Sequence, residues 1–147
     1  MNSDRVCVDA SLALTWVLSV QSNERADALW RRWLNDGVGL VGPPLFRAEV
    51  TSVLREEVYF KRLLPEEGEQ AFTLYSGIPI AIINHSSIYR TAWELAKKYN
   101  MPRTYDMQYL AVAEMEDCEL WTLDKRLVNA VSGKNKRVKW VEDYDQR

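Results

Sequence analysis

Four carboxylates, Asp9, Glu49, Asp106 and Asp124, are the side chains whose types and placement could do chemistry together. Neither the two cysteines nor the single histidine adds a metal-ligand spacing to them. An all-oxygen set of this kind favours Mg²⁺ or Mn²⁺ over zinc. One or two such ions can activate a water, bind a phosphoryl oxygen and stabilise a leaving oxygen. Hydrolysis of a phosphodiester is therefore the leading chemistry, provided that the fold brings the four acids to one place.

The hydrophobic pattern says that it does. Short continuous apolar runs at Val6-Cys7-Val8, Gly39 to Val41, Pro79 to Ile83, Leu120 to Leu123 and Val138 to Val141 read as buried strands. Stripes at helical spacing lie between them: Ala26, Leu29, Trp30, Trp33 and Leu34; Leu45, Val50, Val53 and Leu54 after Pro43-Pro44; Ile88, Ala92, Leu95, Ala96 and Tyr99. Residues 66–76 and 105–117 complete the helices. Alternating strands and helices, with strands apolar throughout, predict a three-layer α/β/α sandwich around a mainly parallel sheet of four to five strands.

Ligands bind such sheets outside the carboxyl ends of the strands. Asp9 and Asp124 directly follow strands. Glu49 lies five residues past Pro44, about 7.5 Å along a helix that starts at the same edge. The helix carrying Asp106 leads by a short connection into the strand ending before Asp124, so it too must begin at that edge. Asp106 shares a face with Tyr109, Leu110 and Ala113, and Glu49 with Leu45 and Val53. Carboxylates on apolar faces are costly without compensation. Two of them about 6 Å apart repel by roughly 3 kcal/mol at an effective dielectric near 20.

Each acid also has a simpler reading. Asp9, Asp106 and Asp124 stand near helix N-termini, where Asp is favoured as a cap or by the dipole. Glu49 could pair with Arg47 or Arg55. Only the joint pattern argues for a site. Ser11 and Thr122, two residues from Asp9 and Asp124, could cap helices or orient the acids. His85 reads as a surface residue, and the tryptophans as core. The helix around Trp16, apolar on nearly every side, hints at a partner surface beyond the core. Lys134, Lys136, Arg137 and Lys139 read as a solvated turn.

The bulk properties bound the rest. The 147 residues suit one domain, 1–147, with a 47% hydrophobic and 27% charged composition that is globular. Cys7 and Cys118 read as buried free thiols in a reducing compartment. The longest apolar stretch, Leu12 to Val20, is far short of the ~20 residues that a membrane span needs. Asp4, Arg5 and Asp9 are unlike a signal peptide. A soluble cytoplasmic protein without membrane contact is expected. A net charge of −2 argues against coating nucleic acid through a global positive field, so contacts must be local. Arg90, Arg103, Lys125 and Arg126 are the candidates for phosphate. A DxD phosphatase motif is excluded because Asp9-Ala10-Ser11 lacks its second Asp, and a DxSxS metal site because position 13 is Ala13.

With these residues placed, the chain resembles the PIN-domain ribonucleases and, within them, the VapC toxins of toxin–antitoxin pairs. "VDASLALTWVL" is similar to the family's first strand and helix, with its acid at Asp9 and hydroxyl at Ser11. "PPLFRAEVTSVL" places an acid at Glu49, "TYDMQYLAVAE" one at Asp106, and "LWTLDKRL" matches the last motif with Thr122 and Asp124. The resemblance implies a Mg²⁺- or Mn²⁺-dependent endoribonuclease, a homodimer, inhibited by a VapB-like antitoxin that lays a C-terminal segment across the groove. The helices of Trp16 and of Trp30 and Trp33 are where that segment is expected. A PIN nuclease of RNA processing and a catalytically silent PIN-fold binding module remain the alternatives.

Overall fold

The computed structural model describes residues 1–131 and 133–146. Five strands form one parallel sheet: β1 (Arg5–Val8), β2 (Gly39–Gly42), β3 (Ile80–Ile82), β4 (Glu119–Thr122) and β5 (Val138–Trp140), in the order β3-β2-β1-β4-β5. Register aligns Val6 with Leu40 on one side and with Glu119 on the other. Val6, Cys7 and Val8 are all buried although neighbouring side chains face opposite ways, so both faces of the centre are covered. The expected α/β architecture is what the chain adopts. Strand order reverses at β1, which makes the β1–β4 crevice the switch point where such sheets bind ligands.

The helices are α1 (Ala10–Val17), α2 (Glu24–Asp36), α3 (Leu45–Tyr59), α4 (Pro65–Ser76), α5 (Ser87–Lys98), α6 (Tyr105–Met115) and α7 (Lys125–Ala130), with 3₁₀ turns at Ser19–Gln21 and Val141–Asp143. Asn23 caps α2 through Arg25 N–H and Ala26 N–H, and Gly37 ends it at φ 67°, a left-handed position that glycine takes without strain. Pro65 opens α4, and Glu67 reaches back to accept Leu64 N–H at 2.8 Å.

Two helices differ from their sequence pattern for the same reason. In α1, six of eight residues are buried against α2, α3, α4 and the sheet. Most of its apolarity is thus satisfied inside the fold, while Trp16 stays half-buried beside a cleft of about 350 Å³. The Trp16 ring packs 4.7 Å from Trp30 and 6.3 Å from Trp33, and its N–H donates to Ala26 O. In α6, Met107 to Ala113 are buried without a break, since the helix lies between the sheet and α5. Leu34, counted on the apolar stripe of α2, is exposed instead.

Gly68 lets α4 approach α3, the helix that carries Glu49. A Cβ built at this position collides with Val58. Gly68→Ala is therefore expected to destabilise the protein by about 1–3 kcal/mol despite alanine's higher helix propensity, as chemical denaturation would register.

Candidate metal-dependent active site

Asp9 begins where β1 ends. Its backbone is extended (φ −91°, ψ 173°) and its Oδ1 accepts Leu12 N–H at 3.1 Å, capping α1. The same oxygen accepts the Ser11 hydroxyl at 2.6 Å, while Oδ2 accepts the hydroxyl of Thr122. Both hydroxyls in turn accept from the segment that follows β4, which for Ser11 is a bond across the crevice. Leu123 N–H donates to Ser11 Oγ at 3.1 Å and Asp124 N–H to Thr122 Oγ1 at 2.9 Å. The ends of β1 and β4 are thereby laced together through one carboxylate.

That carboxylate is only 7% exposed. Burial pushes its pKa up to about 6, with Asp106 adding repulsion, while the bonds from Ser11, Thr122 and Leu12 pull it back down. Thr122→Val keeps the shape but removes a donor to the charged form. It is expected to raise the pKa of Asp9 above about 6, which a carboxyl ¹³C NMR titration would detect; an unchanged midpoint would mean that Thr122 does not tune this acid.

Glu49 stands on α3, one turn past the start of that helix. Neither Arg47 nor Arg55 pairs with it; Oε1 accepts the Tyr109 hydroxyl at 2.8 Å. Burial raises Glu49, Asp106 raises it further, and the tyrosine bond opposes both. Tyr109 itself, 2% exposed, is shifted far upward by burial and by Glu49, so its hydroxyl stays a donor. Sequence reasoning counted Tyr109 as core and missed this role. The available signal was a phenol on a buried stripe, whose O–H needs a partner.

Asp106 occupies the first turn of α6 and is the electrical hub of the group. Its charge acts on Asp9 and on Glu49. Its own pKa is raised by burial and then by Asp124, with the Arg126 guanidinium opposing. Asp124 caps α7: its Oδ1 accepts Arg126 N–H at 2.9 Å and lies 3.4 Å from Arg126 Nε. Two of the three acids suspected as caps, Asp9 and Asp124, are caps, and they belong to the acidic group as well.

A cleft of about 480 Å³ opens on this edge, lined by Leu45, Glu49, Met101, Pro102, Arg103, Tyr105, Asp106 and Arg126. Two of the four suspected phosphate contacts, Arg103 and Arg126, therefore reach it. Lys125 instead lies 3.7 Å above the Trp140 ring. Arg90 pairs with Glu94 and sits eight residues before the end of α5, roughly 12 Å from the segment that enters the cleft. His85 is an exposed loop residue that accepts Ser87 N–H. Arg137 and Lys139 pair with Asp117 and Glu119, so the basic run stays a surface feature.

Among the described residues, no three His, Cys, Asp or Glu side chains form a ready chelate. The acids are coupled through Asp106 as pairs. That donor set fits a hard cation of the Mg²⁺ type, which keeps several waters and takes only one or two carboxylates directly. Three members of the group have raised pKa values, chiefly through burial and secondarily through repulsion from a neighbouring acid.

No curated protein matches the chain. The family model described as PIN domain matches residues 6–132. That span runs from the first residue of the central strand that is buried to just past α7, and so takes in all four acids. PIN domains are generally nucleases that use divalent metal ions, which agrees with the chemistry of this carboxyl edge. On that match, the chain belongs to the PIN domain family.

Proposed function

We propose that this protein is a Mg²⁺- or Mn²⁺-dependent endoribonuclease of the VapC type, a toxin that hydrolyses RNA and is neutralised by a VapB-like antitoxin. The proposal includes a cytoplasmic homodimer whose chain, 1–147, is one PIN-like domain. The observation that carries the nuclease reading is the coupling of Asp9, Glu49 and Asp124 through Asp106 at the switch point of the sheet. The motif order Asp9, Glu49, Asp106, Asp124 supports the toxin assignment, and two buried free thiols suit a reducing compartment. Among the described residues no helix is long and apolar enough to cross a membrane.

In this reading the four acids are the catalytic and metal-holding residues. Glu49, steadied by Tyr109, and Asp106 face the cleft, and Ser11 and Thr122 aim Asp9 from below. The cation, when bound, supplies charge to a phosphoryl oxygen and lowers the pKa of water. Arg103 and Arg126 offer N–H donors to the phosphates on either side, which suits selective contact by a chain of net charge −2.

Purified protein is expected to cleave RNA with Mg²⁺ or Mn²⁺ and to stop when a chelator is added, and Mn²⁺ should bind saturably in a calorimetric titration. Absence of both would favour a catalytically silent binding module, the reading that the capping roles of Asp9 and Asp124 support. Expression should arrest growth of the host, with rescue by a short DNA-binding protein encoded beside it. Cleavage without arrest would indicate a nuclease of RNA processing instead.

A further inference from the structure

Tyr105 is an aromatic residue with no evident structural duty. It is 58% exposed at the first position of α6, immediately before Asp106, and it lines the carboxylate cleft. Among the described residues its ring has no aromatic or cationic neighbour and its hydroxyl no hydrogen-bond partner. Tyr59, similarly exposed, is by contrast packed edge-on against Phe60 and lies under Arg55. A single exposed ring is ordinary on a protein surface; this one is distinguished by lining the cleft that also holds Glu49 and Asp106.

The rest of the cleft indicates which kind. Leu45, Met101 and Pro102 form apolar wall beside the ring, while Arg103 and Arg126 bring positive charge and Glu49 and Asp106 negative charge. Apolar surface for a planar group, donors for phosphate and carboxylates for a cation together match one nucleotide. A volume of about 480 Å³ lies in the range that holds one small-molecule-sized unit. A duplex could not use the platform, because its bases turn their faces to one another and only an unpaired base can offer one.

We infer that Tyr105 is a specificity-determining residue, the platform on which one unpaired base stacks beside the phosphate to be cut. The inference rests on the nuclease reading above. Every nucleobase has a π-face, so the contact selects strandedness and not sequence. Arg103, its near neighbour in the chain, then holds the adjoining phosphate.

The test compares parent, Tyr105→Ala and Tyr105→Phe, with a mixed-sequence single-stranded RNA, its blunt duplex and the single strand carrying an abasic position at the cleavage site. Binding is read by fluorescence anisotropy and cleavage with Mn²⁺ as separate KM and kcat. Tyr105→Ala is expected to raise KM and weaken binding of the single strand by about five- to a hundredfold, with kcat changed far less. Tyr105→Phe keeps the ring and should behave as the parent. On the abasic strand the three proteins should be alike. If the parent cleaves and Tyr105→Ala matches it in KM, or Tyr105→Phe fails equally, the platform is refuted while the nuclease reading stands; the exposed ring would then be an anchor for a protein partner. If the parent neither binds nor cleaves any of the RNAs, both fall together. Because the side chain is exposed, the variants should fold, which circular dichroism checks.

Discussion

Asp9→Asn is expected to yield a protein that is more stable than its parent at neutral pH and at least about a hundredfold less active, or about 2.7 kcal/mol in kcat/KM. The gain in stability follows from the sign of the linkage. The folded carboxyl has a pKa of about 6, against 3.8 for the ordinary group. Below about pH 4 both states hold the proton and the shift has no effect. Between about 4 and 6 the unfolded chain releases its proton while the folded one keeps it, so stability falls as pH rises. Above about 6 the whole penalty persists, at about 3 kcal/mol at most. Asparagine has no charge to desolvate. Its amide oxygen can still accept Leu12 N–H and the Ser11 hydroxyl, and its NH₂ can donate to Thr122 Oγ1. Urea denaturation of the two proteins across pH 4–8 should show the parent declining more steeply than the variant, which keeps the raised Glu49 and Asp106. Added Mn²⁺ should restore stability to the parent alone above pH 6. A variant that is less stable at pH 7 would mean that Asp9 serves chiefly as a cap.

The carboxyl edge is legible in the sequence because strand periodicity marks where each strand ends. Short parallel strands leave their marks in sequence as unbroken apolar runs, and an acid directly after such a run must stand at the carboxyl end. Asp9 and Asp124 were located by that reasoning alone, and Glu49 and Asp106 by the direction of their helices. What the pattern could not carry was the partner of each side chain. Arg47 and Arg55 are neighbours of Glu49 in sequence, yet the donor that reaches it, Tyr109, comes from sixty residues away. Lys125 and Arg126 are adjacent, but one lies on Trp140 and the other enters the cleft. The apolar periodicity of α1 misled in the opposite direction. A helix buried on nearly every side has no polar face to mark its orientation, so α1 resembled a docking surface when most of it is interior. The pairwise coupling of the acids, in place of one compact chelate, likewise depends on rotamers that no spacing encodes.

Asp106→Asn should be the most damaging single change to cleavage among the three helix-borne or capping acids, Glu49, Asp106 and Asp124, while scarcely altering stability. Its charge is the one felt by both Asp9 and Glu49, and it is itself raised by Asp124. Neutralising it therefore weakens the attraction for a cation throughout the cleft, and a loss of at least about a hundredfold in kcat/KM is expected. For stability, two effects oppose one another. Relief of repulsion among the acids is favourable. Loss of a negative charge in the first turn of α6 gives up about 0.3–1 kcal/mol of interaction with the helix dipole and leaves Arg126 with one acid fewer. The net change should stay within about 1 kcal/mol. A second readout separates a hub from a mere dipole charge. With Asp106 neutral, the pKa of Asp9 should fall below about 6 and that of Glu49 should fall with it, as NMR titration of the remaining carboxyls would reveal. A residue acting only on the helix end would lower stability and leave cleavage intact. Full activity in this variant, with Asp9 titrating where it does in the parent, would remove Asp106 from the centre of the site.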